Sequence, residues 1–153
     1  MYNQLTKNFT KQEMVVSKQF PELASKIKPT EEQYARLLLL LQSTVQPLRD
    51  KFGSIRILSG IRSEELNAKV GGAKNSDHKY ATALDLDFLN GNVEEAFNYI
   101  LESQVLPYRQ VIYYPEQKFI HVSGNIPGLE YKHEAYVKVG NKYEVPKKGL
   151  NYV

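Results

Sequence analysis

The sequence contains no cysteine among its 153 residues. This absence excludes disulfide bonds and thiolate metal sites, so any bound metal would need nitrogen and oxygen ligands. Long apolar runs are also missing, because the longest, residues 37–41, is far shorter than the roughly 20 residues that span a bilayer. Residues 1–7 lack the apolar segment of a signal peptide, so we expect synthesis in the cytoplasm without one.

The composition is that of an ordinary globular domain. Hydrophobic residues make up 42% of the chain and charged residues 24%, which is enough to bury a sizeable core at this length. No internal repeat, low-complexity segment or linker is visible, so we predict one domain over residues 1–153. We expect this domain to be a monomer.

The charge balance is mildly basic. A net charge of +3 and a sequence pI near 8.9 suit weak attraction to an anionic polymer such as a cell-wall surface. Basic charge combined with eleven tyrosines would also suit nucleic acid, but the lysines are spread out and no recognised nucleic-acid motif is present. We therefore expect neither nucleic acid nor a membrane as a partner.

Helix and strand signals are distributed along the whole chain. Thr30 and Gln33 form a capping box that opens a long helix to about Asp50, ended by Gly53. The apolar run in the middle of this helix predicts a buried scaffold helix. Other predicted helices are residues 10–17, 64–69 and 93–102, and predicted strands are residues 55–58, 83–88, 111–114, 118–122, 135–139 and 142–145. These elements predict an α+β fold in which a small antiparallel sheet is backed by helices.

His78, Asp85 and His121 are the residues whose chemistry points most clearly to a function. His121 lies in the apolar, strand-like run Phe119–Val122. Two imidazoles and one carboxylate are the ligand set of catalytic zinc sites, which leave a fourth position for water or substrate. A packed or hydrogen-bonded histidine is the other interpretation. If the three side chains converge, the metal would activate a water and the reaction would be a hydrolysis.

Residues 76–85, SDHKYATALD, resemble a known signature, Ser-x-His-x-x-Gly-x-Ala-x-Asp. The signature belongs to zinc peptidases related to D-alanyl-D-alanine carboxypeptidases, which share their fold with lysostaphin and the hedgehog signalling domain. Four of its five positions match. Similar segments extend the likeness from about residue 8 to residue 123, including residues 57–63, 71–72, 110–112 and 120–123.

The resemblance implies a role for individual residues. His78 and Asp85 match the first two zinc ligands and His121 the third, on one face of the sheet. Arg62 matches an arginine that faces the scissile carbonyl, and Ser76 matches a polar residue beside the site.

The resemblance also implies an activity. It is the zinc-dependent hydrolysis of peptidoglycan stem peptides or cross-links, by a carboxypeptidase or an endopeptidase of the kind found in phage endolysins and bacterial wall-lytic enzymes. Such a protein would act at the cell wall after lysis, particle delivery or unconventional export.

Two departures from the family pattern have consequences. The signature glycine is Ala81 here, and a positive φ at this position would strain alanine by roughly 1 kcal/mol. Relatives place a carboxylate or a histidine near the last ligand, where this chain has Lys118 and Phe119. The nearest acid is Glu116, which we predict as the general base. The alternative is a non-catalytic, metal-binding descendant that binds peptidoglycan or serves as a virion-associated structural protein.

A hairpin around Pro115 and Glu116 determines which side chains reach the metal. We expect Gln110 to pair across from His121, so that Gln110 and Tyr114 share its face and contact substrate. Tyr113 and Tyr114 are alternative bases. Asp87 lies two residues beyond Asp85 and is expected to support a ligand.

Overall fold

A six-stranded sheet forms the centre of the computed structural model, which describes residues 3–124 and 133–146. Its strands are β3 (Ile55–Ser59), β4 (Ala83–Phe88), β5 (Gln110–Tyr114), β6 (Phe119–Ser123), β7 (Glu134–Val139) and β8 (Lys142–Glu144), in the order β3-β4-β6-β5-β7-β8. A separate antiparallel pair precedes it, formed by β1 (Gln4–Thr6) and β2 (Phe9–Thr10). The α+β prediction is confirmed, with one difference: β5 and β7 pair in parallel.

Five α-helices accompany the sheet in the described part of the chain. They are α1 (Pro21–Ser25), α2 (Glu31–Leu40), α3 (Gln46–Phe52), α4 (Glu64–Lys69) and α5 (Val93–Glu102). The predicted capping box is present, since the Thr30 hydroxyl accepts from the Gln33 N–H and the Gln33 side chain accepts from the Thr30 N–H. One π-helical turn, Leu41–Val45, joins α2 to α3, and Gly53 ends α3 with a φ of 89°. The predicted long helix is therefore present as one uninterrupted helical segment over residues 31–52.

The hydrophobic core lies between these helices and one face of the sheet. Leu84 and Leu86 of β4, with Ile120 and Val122 of β6, are fully buried in the same cluster as the apolar residues of α2, α3 and α5. Because side chains alternate along a strand, the residues between them point to the opposite face. Asp85 and His121 occupy these intervening positions, so burial of the leucines directs the candidate ligands away from the core.

Local structure differs from the prediction at the N-terminal end. The helix expected over residues 10–17 is a 3-10 turn, Gln12–Val15, and Thr10 belongs to β2. The Glu13 carboxylate still accepts from the Thr10 N–H and hydroxyl, but pairing of β2 with β1 prevents a longer helix. Within residues 3–124 and 133–146, no helix is both long and apolar enough to cross a bilayer. One domain over residues 1–153 stays a prediction.

Candidate metal centre

Asp85 and His121 face each other across two neighbouring strands. They are direct partners in the antiparallel pair of β4 and β6, where opposite side chains lie about 5 Å apart at Cβ. His121 Nδ1 is 2.9 Å from Asp85 Oδ1. The sheet thus supplies two of the three predicted ligands from one cross-strand pair.

His78 joins them from a 3-10 helix, Asp77–Tyr80, that precedes β4. The hydroxyl of Ser76 caps this helix by accepting from the His78 N–H. His78 Nδ1 lies 2.8 Å from the carbonyl oxygen of Gly60, and Nε2 lies 3.2 Å from Asp85 Oδ1. A proton on Nδ1 would be donated to the carbonyl, which leaves Nε2 as a lone-pair donor directed at the cluster.

Ala81 ends this 3-10 helix in the left-handed conformation, with φ 58° and ψ 41°. The position therefore has the geometry for which the signature uses glycine. Strain of about 1 kcal/mol is expected for alanine here, but the side chain is fully buried and burial of one methyl contributes about 0.8 kcal/mol. The two effects nearly cancel, which explains how alanine is accommodated.

The electrostatics of the three side chains fit a divalent cation. The ligand atoms of His78, Asp85 and His121 all lie within 4.8 Å of one another. Burial lowers the pKa of His78 despite the nearby Asp85, so the imidazole is neutral at pH 7. Burial opposes ionisation of Asp85, yet the two histidines hold its pKa well below the usual range. A buried carboxylate between two imidazoles is a donor set that zinc accepts.

Arg62 stands at the edge of this cluster. Its Nη2 is 3.8 Å from Asp85 Oδ2 and its Nη1 donates to Asn67 Oδ1. Burial lowers the pKa of Arg62, an effect that Asp85 opposes. Gly72 packs against both side chains, since a Cβ there would lie 2.1 Å from Asn67 Oδ1 and 2.9 Å from Arg62 Nη1. The guanidinium is thus held beside the candidate metal ligands.

A cleft of about 1520 Å³ surrounds the cluster. Ser76, Gln110 and Tyr114, the predicted substrate-binding residues, all line it. Glu116 does not: it lies on the exposed turn of residues 115–118 between β5 and β6. The structure therefore brings the metal ligands, Arg62 and these three residues to one cleft, while the role of Glu116 as base stays a prediction.

The expected hairpin register is wrong by two residues. Gln110 pairs with Ser123, and Ile112 is the residue opposite His121. A shift of two preserves the face of every side chain, whereas a shift of one would reverse it. Gln110 and Tyr114 consequently still point into the cleft. Gln110 donates to Glu134 of the neighbouring strand at 3.3 Å.

Two other side chains differ from expectation. Asp87 forms an ion pair with Arg56 at 2.6 Å instead of supporting a metal ligand. Tyr113, an alternative base, is buried on the core face, where its ring is 5.3 Å from that of Phe97. Neither residue lines the cleft.

Tyr114 is a protonated phenol rather than a base. Its ring stacks on Phe119 with centroids 4.4 Å apart. Burial raises the pKa of Tyr114 well above its ordinary value, and neighbouring Tyr143 raises it further. The phenol therefore keeps its proton at neutral pH.

An ion pair between Arg109 and Asp77, not predicted from the sequence, lies beside the site. Arg109 Nη1 lies 2.9 and 2.7 Å from the two carboxylate oxygens of Asp77. The Asp77 side chain is 7% exposed and that of Arg109 15%. Since Asp77 immediately precedes His78, the pair anchors the ligand-bearing turn to the start of β5. No local signal links two residues so far apart in the chain.

We expect Arg109→Met to destabilise the protein by about 3–5 kcal/mol, because it leaves the Asp77 carboxylate buried without its cation. Denaturant unfolding measures this loss. The double variant Asp77→Asn/Arg109→Met removes the uncompensated charge and should lose less than the single variant. A loss below about 1 kcal/mol for Arg109→Met would mean that the pair behaves like one on the surface.

Comparison with known protein families gives one result that covers most of the chain. Residues 7–123 match the family model described as Peptidase M15. The matched region contains His78, Asp85, His121 and Arg62. No curated protein gives a significant match.

Proposed function

The chain belongs to the peptidase M15 family, and from this premise we propose that it hydrolyses peptide bonds in the stem peptides or cross-links of peptidoglycan with a zinc ion. The observation that carries the proposal is the convergence of His78, Asp85 and His121 in a cleft that also contains Arg62. Three ligands with an open side are typical of catalytic zinc sites, whereas structural sites have four protein ligands. When bound, zinc would polarise a carbonyl group and lower the pKa of a water molecule.

Other side chains around the cluster would stabilise the transition state, contact the substrate or position a ligand. Arg62, with Nη2 3.8 Å from Asp85 Oδ2, would stabilise the negative charge that develops on the carbonyl oxygen, a contribution of about 2.7–4 kcal/mol at comparable sites. The Tyr114 side chain, which lines the cleft, would contact the substrate. Ser76 supports the site indirectly, since its hydroxyl orients the turn that carries His78.

The proposed general base is Glu116, which can act only if the turn of residues 115–118 folds over the cleft. We expect Glu116→Gln to lower the rate roughly 100-fold with zinc retained, as for loss of a base. Hydrolysis of purified peptidoglycan measures the effect, and Glu95→Gln, on the exposed side of α5, is the control. Equal rates for Glu116→Gln and wild type would refute this assignment and direct attention to Glu134, which also lines the cleft.

A second candidate function rests on the residues beside the last ligand. Lys118 and Phe119 stand where relatives have an acid or a histidine, and Glu116 is exposed outside the cleft. These observations favour a metal-binding protein that holds peptidoglycan, or serves in a virion, without cutting it. Digestion of several purified wall types decides between the two: new amino or carboxyl ends support the enzyme, and sedimentation with the wall without new ends supports the binding protein.

A further inference from the structure

Strand register places five residues of the cleft in a single row across the sheet. Ser59 pairs with Asp85, Asp85 with His121, His121 with Ile112, and Ile112 with Tyr136. All five line the cleft. The candidate ligands therefore lie inside the row, with cleft residues on both sides of them.

The row is long compared with one residue of a peptide. Neighbouring strands lie about 4.8 Å apart, so the row continues roughly 10 Å beyond His121 to Tyr136. In the other direction it continues through Ser59 to Ser17, which forms an isolated bridge with Ser59 and also lines the cleft. The whole row spans roughly 24 Å, enough for about seven residues of extended peptide at 3.3 Å per residue.

Two arginines line the cleft, and each lies beside an aspartate. Arg109 is bound to Asp77, and Arg62 lies beside Asp85. Among the described residues that line the cleft, the remaining cation is Lys18, whose side chain is on the exposed surface. At the two ends of the row, Ser17 and Tyr136, the described lining residues include no buried cation that could hold a terminal carboxylate.

We propose that the protein is an endopeptidase whose substrate lies across the strands, with at least two residues on each side of the cleaved bond. This inference rests on the proposed function. Ser59 and Ser17 would contact one side of the substrate, and Ile112 and Tyr136 would contact the other. The side of the row formed by Ser59 and Ser17 has small, polar side chains. The side formed by Ile112 and Tyr136 has apolar and aromatic side chains.

The products of digestion test the proposal directly. Zinc-loaded protein is incubated with purified peptidoglycan, and the soluble products are identified by mass spectrometry. Cleavage of internal bonds, with fragments of two or more residues on each side, is expected. Release of single alanine residues would overturn the endopeptidase assignment but leave the peptidase. Absence of any new end would overturn the proposed function, and this inference with it.

The contribution of the substrate's terminal charges is measured with a synthetic stem peptide that contains the cleaved bond. The peptide is prepared with free ends and with an acetylated amino end and an amidated carboxyl end. An endopeptidase should cut both with comparable kcat/KM, since none of the cleft residues that the structure describes would need a terminal charge on the substrate. Loss of cleavage on amidation, together with a higher KM for Lys18→Ala on the free peptide, would contradict the proposal.

Tyr136 tests the length of the substrate site. We expect Tyr136→Ala to raise KM about tenfold for the long capped peptide, the size of one aromatic contact. KM should be unchanged for a peptide truncated beside the cleaved bond on the side that Tyr136 contacts. Val139→Ala is the control, because Val139 lies on the same strand, is exposed and points to the other face. An equal effect of Tyr136→Ala on both peptides would count against substrate at this position.

Discussion

His121→Ala is expected to lose nearly all bound zinc and nearly all peptidase activity. The imidazole is one of three candidate ligands, and Asp85 and His78 alone could not enclose a tetrahedral ion. Loss of an outer-shell partner typically lowers metal affinity by about 10–100-fold, so loss of a ligand should exceed this range. The fold should persist, because the side chain points into the cleft and not into the core.

Metal analysis of the purified variant, with circular dichroism to verify folding, measures this effect. His133→Ala is the matched control, since His133 is exposed directly before β7, does not line the cleft and stacks on Tyr108. It should bind as much zinc as the wild type. Full zinc occupancy in folded His121→Ala would refute the assignment of this residue as a ligand.

Arg62→Ala is expected to lower kcat/KM by about 100- to 1000-fold while zinc stays bound. The proposed partner of the guanidinium is charge that develops only during attack on the carbonyl, so the loss falls on the transition state. Stability should fall by about 1–3 kcal/mol, because Asn67 Oδ1 loses its donor. Asn67 keeps its hydrogen bond to the Ala73 carbonyl, which preserves the local turn.

The control for Arg62 is Arg56→Ala. Arg56 lies on β3, its side chain is 62% exposed, and its ion pair with Asp87 is outside the cleft. Its loss should leave turnover unchanged, since surface ion pairs contribute little. Unchanged turnover of zinc-loaded Arg62→Ala would show that Arg62 is only a packed arginine. Arg62→Lys should recover a part of the activity, because a lysine keeps the charge but not the planar fork.

The features that could be predicted from the sequence are those that depend on neighbouring residues. The capping box of Thr30 and Gln33 determines where the long helix begins, and Gly53 determines where it ends. Both signals are local, because these residues bond to backbone groups within one helical turn. The alternation of residues 83–88 determines that Asp85 faces away from Leu84 and Leu86. The family resemblance, borne out by the match over residues 7–123, added the expected roles of His78, Asp85 and His121 as zinc ligands and of Arg62 beside the scissile carbonyl.

Pairings between distant segments were decided only by the tertiary structure. The register that sets Ile112 opposite His121 follows from a four-residue turn in which Lys118 has a φ of 61°, and the alternation of side chains is the same for any even shift. The parallel pairing of β5 and β7, which brings Tyr136 into the row of the ligands, has no local signal.

The same holds for the ion pair of Arg109 with Asp77, because each residue alone resembles a solvated surface charge. The ligand types, and the spacing of His78 and Asp85, were thus determined by the sequence, whereas the pairing of β4 with β6 brings His121 to them. The shape of the cleft, and with it the inferred substrate, depends on long-range strand pairing that the assembled sheet alone defines.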